Sequence, residues 1–201
     1  MIETYIQGYR QDELPICGET FSGQTLQEYD LSGVEFDNVS FVNCGFDHCN
    51  FTKASFYNCR FIKCSMANAV FSDSFWKQST IDHCKGIGAN YSGSVFQQTQ
   101  WVGSVLDYSN LFGAKLESCA FADCSFKEAF LCQVILKKIT LSNVDFTGAD
   151  FTRTPLKNTD MSTCIIAGLT VSDTLYELEG MKIDPMQAAD LMGFLGVKIK
   201  I

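Results

Sequence analysis

A hydrophobic residue recurs every fifth position, and that spacing excludes most ways a chain of 201 residues can fold. Phe41, Phe46, Phe51, Phe56 and Phe61 set the phase. Between Phe21 and Val171 it passes through 31 positions, all of them large apolar or aromatic residues except Gly86. An α-helix would scatter such residues around its whole axis, because its side chains repeat every 3.6 residues. A simple strand has a period of two. A strict internal repeat of this kind is the mark of a solenoid, in which each unit buries its apolar group only against its neighbours.

The rest of the unit is equally regular. Two residues before each centre, from Val34 to Cys164, stand only Ala, Cys, Ser, Thr, Val or Ile. Small groups there imply a narrow interior shared with large neighbours. Two residues after each centre, Gly and Asn are frequent, as at Gly33, Asn38, Asn43, Asn58 and Asn68. These residues suit a left-handed corner. Each unit therefore reads as a short extended piece followed by a turn.

The order small–polar–Phe/Leu–polar–turn, as in Cys49-Asn50-Phe51-Thr52-Lys53 and Ala149-Asp150-Phe151-Thr152-Arg153, resembles the pentapeptide-repeat proteins over about three quarters of the chain. The resemblance implies an all-β fold, a right-handed quadrilateral β-helix with four units per coil. Residue i then stacks on i+20. One ladder runs Phe21, Phe41, Phe61, Ile81, Trp101, Phe121, Leu141, Met161, and its neighbour runs Phe36, Phe56, Trp76, Phe96, Leu116, Leu136, Leu156. Nearly eight coils are expected.

The organisation expected is an N-terminal cap over 1–15, the β-helix over 16–183, and a C-terminal helix and strand over 184–201. The tail begins Asp184-Pro185-Met186-Gln187, with Asp as N-cap, Pro in the first turn and Gln as capping-box partner. A helix follows to about Phe194, and Gly196 suits its end. Val197-Lys198-Ile199-Lys200-Ile201 alternates like a half-buried strand. The tail resembles the C-terminal module of the quinolone-resistance (Qnr) branch and its mycobacterial relative, through Leu178-Glu179-Gly180-Met181-Lys182-Ile183, Gln187, Leu191 and Leu195-Gly196-Val197. That resemblance implies a homodimer joined through Leu191, Met192, Leu195, Val197, Ile199 and Ile201. It also implies DNA gyrase or topoisomerase IV as partner, bound by a DNA-mimic-like rod. The projecting loops of the Gram-negative Qnr proteins have no counterpart here, so the chain looks more like the loopless mycobacterial relative.

Charge and composition narrow the function classes. The net charge of −8 disfavours direct nucleic-acid binding, which needs a basic face. The first fifty residues alone carry −8, and the following fifty carry +3. No apolar run reaches the ~20 residues of a membrane helix, and Met1–Arg10 lacks the order of a signal peptide. A cytoplasmic protein is expected. Apolar residues in outward slots mark a candidate partner face: Phe75, Val95 and Ile135 on one ladder, interrupted by Lys115, and Val42, Ile62 and Val102 on another.

No catalytic constellation, cofactor or metal site is expected. Eight of ten cysteines share the small inward slot, where a thiol behaves as a small hydrophobe. His48 and His83 fall at outward corners. Lys85-Gly86-Ile87-Gly88-Ala89-Asn90 only superficially resembles a phosphate loop, and Asp145 and Asp150 point outward on adjacent faces. The expected role is that of a binding rod, with a scaffold for an unrelated protein partner as the alternative. Reduced and oxidised preparations should melt alike and carry no zinc. Stoichiometric zinc by elemental analysis, or a melting temperature lowered by reductant, would contradict this.

Overall fold

A computed structural model describes residues 1–197. The chain winds as a four-sided solenoid. Two sides are seven-stranded parallel sheets, one from Ile16–Cys17 to Ile135–Lys137 and the other from Thr20–Ser22 to Thr140–Ser142. The other two sides are joined by single parallel bridges, such as Gly45 to Ser65 and Asn50 to Val70. Partners in both sheets are twenty residues apart, as in Phe36 on Phe56 and Phe41 on Phe61.

Backbone hydrogen bonds enforce that register. A centre residue donates to the carbonyl 19 residues ahead, as Phe46 does to Ser65 (2.7 Å). The residue before a centre donates to the carbonyl 21 behind, as Ser65 does to Cys44 (2.9 Å). Inside, aromatic rings stack along the axis: Phe36 on Phe56 at 5.4 Å, Phe56 on Trp76 at 4.0 Å, and Trp101 on Phe121 at 4.6 Å. Removing one such ring should cost about 3–5 kcal/mol, the lost transfer energy plus a cavity.

The small slot does more than save space. The thiols of Cys44, Cys49, Cys59, Cys64, Cys84 and Cys119 each donate to the carbonyl 23 residues earlier, at 3.3–3.5 Å. Ser79, Ser94, Ser104 and Thr154 make the same bond through a hydroxyl. Burial pushes the Cys59 thiol up to about 12 and that of Cys119 up to about 11, so both stay protonated and unreactive at neutral pH.

The corners are left-handed almost without exception, and Gly and Asn are not the only residues that serve. His48, Lys53, Gln78, Tyr108 and Glu128 all take positive φ. Outward Asp and Asn residues tie the next edge: Asp145 accepts from the N–H and hydroxyl of Thr147, and Asp150 from the N–H of Thr152. These carboxylates close local turns, which accounts for their place in the repeat.

Both ends are covered. At the N-terminus an α-helix, Ile2–Asp12, buries Ile2 and Ile6 on the first coil. Its Tyr9 hydroxyl donates to Gly33 O, and Arg10 pairs with Asp30. At the other end the expected capping box is present at Asp184 and Gln187. The helical segment continues through Ala188–Met192 to a left-handed Gly196. Only Val197 of the expected strand falls within the described residues; Lys198, Ile199, Lys200 and Ile201 lie outside them.

Two expectations need correction. Sheet pairing stops at Ile135–Lys137 and Thr140–Ser142, so it makes six steps of twenty residues. The ladders do not reach Leu156 and Met161 as strand pairs. The missing side chain at the Gly86 centre predicts an underpacked or bent coil. Instead its backbone keeps the regular bonds, from Gly86 N–H to Val105 O and from Ala89 N–H to Gly86 O. The slot is occupied by neighbours: a side chain at Gly86 would begin 3.3 Å from Leu106 Cδ2 and 3.5 Å from the Tyr91 hydroxyl. Ile87 is substantially exposed and does not fill it. The Tyr91 hydroxyl is buried there without a hydrogen-bond partner, and burial raises its pKa. Gly86→Leu should therefore destabilise by ~1–3 kcal/mol through overpacking. Adding Tyr91→Phe, which removes the intruding oxygen, should recover part of that loss in chemical denaturation. A neutral Gly86→Leu single variant would show the space to be empty after all.

Candidate protein-binding face

The solenoid turns its repeat inward, so its surface chemistry is decided by the outward slots. Phe75, Val95, Lys115 and Ile135 lie in one register on the first sheet, each paired with the next. Phe75 and Val95 are half-buried and Ile135 is exposed. The ring of Phe75 also meets Tyr57 at 5.6 Å. The second ladder is less continuous than its residues suggest, because Asp82 stands between Ile62 and Val102.

The adjacent side adds residues that the sequence reading passed over. Tyr108, Phe112 and Phe130 are 60%, 48% and 52% exposed, and together with Asn110 and Cys132 they line one shallow groove. Phe130 sits on the bridge ladder between Asn110 and Asp150. Asn110 holds the edge in place by accepting from Phe112 N–H at 2.9 Å. Cys132 is half-buried beside them, its thiol pushed up to about 11 by burial and by Asp150. Only one corner, at Gly113 and Gln133, separates this groove from Lys115 and Ile135. Sorting the phenylalanines by slot would have found the groove. Phe112 and Phe130 join Phe75 as the only repeat-region phenylalanines outside the inward register.

Of the expected dimer residues, Leu191 and Met192 are half-buried, while Leu195 and Val197 are 66% and 45% exposed. Leu191 and Phe194 pack partly onto the core. The tail is anchored by Gln187, which is buried. Its amide donates to the carbonyls of Met161 (2.8 Å) and Cys164 (2.6 Å) while its oxygen accepts from Asp184 N–H. Glu177 plays the converse part, accepting from the N–H groups of Arg153 and Ser172 and from the Ser172 hydroxyl. Burial alone would raise its pKa, but these donors outweigh it and hold it low. Among the described residues, no group of three or more His, Cys, Asp or Glu side chains is placed to hold a metal ion. No helix there is long and apolar enough to cross a membrane.

A solenoid wound from five-residue units with capped ends defines a class, and comparison with known families names it. The chain belongs to the pentapeptide-repeat proteins: "Pentapeptide repeat region" matches residues 34–111 and "Pentapeptide repeats (8 copies)" matches residues 124–162, together more than half of the chain. Among solved structures it is similar to full-length QnrB1, a plasmid-mediated fluoroquinolone resistance protein, at 18% identity over 92% of this chain and 100% of that one (TM-score 0.45). A trypsin-treated QnrB1 variant matches at 22% identity over 93% and 98% (TM-score 0.42). HetL from the cyanobacterium Nostoc sp. strain PCC 7120, involved in heterocyst differentiation regulation, matches at 12% identity over 90% and 92% (TM-score 0.35). No curated protein matches.

Surface rings should matter little to folding. Phe112→Ser and Phe130→Ser should each change stability by no more than ~0.5 kcal/mol in urea denaturation, as is usual for exposed positions. Losses above ~2 kcal/mol would mark the rings as structural and remove this groove as a binding face.

Proposed function

We propose that the protein is a non-enzymatic, dimeric binding rod whose partner is a type II topoisomerase, DNA gyrase or topoisomerase IV. The observation that carries the proposal is the tail. Its residues from Leu178 to Val197 resemble the Qnr-branch module, and within it Leu195 and Val197 are exposed. Leu191, Met192, Leu195, Val197, Ile199 and Ile201 form the dimer interface in this reading. Pairing about a two-fold axis would cover those apolar groups symmetrically and set the acidic N-terminal ends furthest apart. Phe75, Val95 and Ile135, joined by Phe112 and Phe130, supply the partner face. The protective effect would fall on a topoisomerase poison, either a quinolone or a peptide toxin, and the site of action would be the cytoplasm. The acid is gathered at the N-terminal end, so mimicry of duplex charge is confined to that part of the rod.

Leu195→Asp combined with Val197→Asp tests the dimer while leaving Gln187 and its carbonyl bonds in place. Light scattering should give twice the chain mass for the parent protein and the single chain mass for the variant. In gyrase supercoiling and quinolone-cleavage assays, the parent should alter activity in a dose-dependent way and the variant should not. A parent that is monomeric at micromolar concentration, or that leaves gyrase and topoisomerase IV unaffected, would favour a scaffold with an unrelated protein partner.

A further inference from the structure

The regular winding fails in one place, between residues 135–142 and 155–162. Elsewhere the residue before a centre donates its N–H to the carbonyl 21 behind. At that position Pro155 has no N–H to give to Val134 O. The residue that ends each unit takes positive φ from Gly18 to Gly168 except at Thr163, the one β-branched residue in the slot. Left-handed backbone is a true outlier for such a side chain. Two departures from the repeat thus bracket the segment.

The coil that carries them has moved onto the following chain. Leu156 N–H donates to Glu177 O, Asn158 N–H to Gly180 O and Met161 N–H to Lys182 O, and Asp160 pairs with Lys182 at a spacing of 22. Among the described residues, none of the expected backbone bonds joins Leu136, Lys138 or Leu141 to the coil beyond. Asn143 reaches only the Thr163 hydroxyl, at 3.3 Å. The other two sides remain closed through Asp145 to Ile165 and Asp150 to Thr170. The solenoid is therefore open on two adjacent sides and hinged on the other two.

Two things are exposed in the opening. The strands Ile135–Lys137 and Thr140–Ser142 are internal sheet edges with unpaired backbone groups. Leu136, Ile139 and Leu141 are half-exposed, although the residues twenty before them, Leu116, Cys119 and Phe121, are buried. An unpaired, apolar strand edge is a template for another strand. The rim on the first side is basic, with Lys138, Arg153 and Lys157 exposed. Lys137, next to this group, is ion-paired with Glu117. A basic rim on a chain of net charge −8 selects for acid.

We propose that this opening binds an extended segment of a partner protein by strand addition, and that the register specifies the segment's chemistry. Opposite Leu136 and Leu141 it presents large apolar residues five apart. Opposite Lys138 it has a Gly or Asn corner followed by a small residue facing Ile139, and carboxylates flank the first apolar residue to meet Lys138, Arg153 and Lys157. The coil on the far side of the opening is held by the tail, through Gly180 O, Lys182 O and the Gln187 amide.

The probe is a fluorescein-labelled peptide, Glu-Leu-Glu-Gly-Ala-Thr-Leu-Thr, with Lys-Leu-Lys-Gly-Ala-Thr-Leu-Thr as control, read by anisotropy against the full chain. In the free protein, amide hydrogen exchange at Leu136, Lys138 and Leu141 should be at least about a hundredfold faster than at Leu116, Ser118 and Phe121. The acidic peptide should bind and slow exchange at the first three. The basic peptide should bind at least about tenfold more weakly, and Lys138→Glu with Arg153→Glu, both exposed, should weaken the acidic peptide by a similar factor. Slow exchange at Leu136 and Leu141 in the free protein would overturn the opening. Equal or absent binding of the two peptides would overturn the occupant. Protection that rises with protein concentration alone would assign the site to a second copy and likewise overturn it.

Discussion

The hydrogen bond from each coil to the next is the interaction on which the rest of this structure depends. It runs along the axis of the rod, so the N–H groups of one coil are satisfied only if the next coil presents carbonyls in the twenty-residue register. Strand identity, ring stacking and the small-slot bonds follow from that alignment, since Phe36 can lie on Phe56 only when their backbones are paired. The same dependence makes the ends costly, because buried backbone groups must find partners. The two terminal substitutes near the C-terminus have opposite polarity. The Glu177 carboxylate serves orphan N–H groups at Arg153 and Ser172, and the Gln187 amide serves orphan carbonyls at Met161 and Cys164. A side chain supplies at each place what an absent coil would have supplied.

The small slot explains why a chain with ten cysteines is built without disulfides among the described residues. Six of its thiols and four of its hydroxyls bond to the carbonyl of the centre residue 23 positions earlier, which places a polar hydrogen against backbone in an otherwise apolar interior. Ala54, Ala69 and Ala89 occupy the same slot and only pack. The slot therefore tolerates either chemistry, and Cys combines the volume of a small hydrophobe with a weak donor.

Much of this was legible in the sequence, because a period of five dictates which side chains face inward. The centre ladder, the small slot, the outward histidines and the capping box at Asp184 could all be read from spacing. The N-terminal helix was not legible beyond a cap, since Met1–Pro15 has too few apolar residues to show helical period and Ile2 and Ile6 sit four apart within a polar stretch. Gly86 misled because an absent side chain suggests a void, whereas Tyr91, one unit on, reaches back to fill it. The corners were read too narrowly. Gly and Asn are the least strained choices, but sheet pairing on both sides of each corner holds His48, Lys53 and Tyr108 in the same left-handed backbone.

The positions that break the repeat are concentrated in the second half of the chain, and that distribution bears on how such a rod can recognise anything. A perfect solenoid offers a partner only a monotonous lattice of polar outward groups, so specificity must come from departures. Tyr108, Phe112 and Phe130 put rings where the repeat puts polar groups. Pro155 removes a donor that every coil before it supplies, and Thr163 refuses a corner that every other unit takes. The tail leaves Leu195 and Val197 uncovered. The first fifty residues depart in charge alone, through nine acids and one arginine, and charge acts at a distance without fixing a contact. The two halves thus differ in kind: the first fifty residues carry the acid, whereas the exposed rings, the open strand edges and the uncovered apolar groups of the tail lie between Phe75 and Val197.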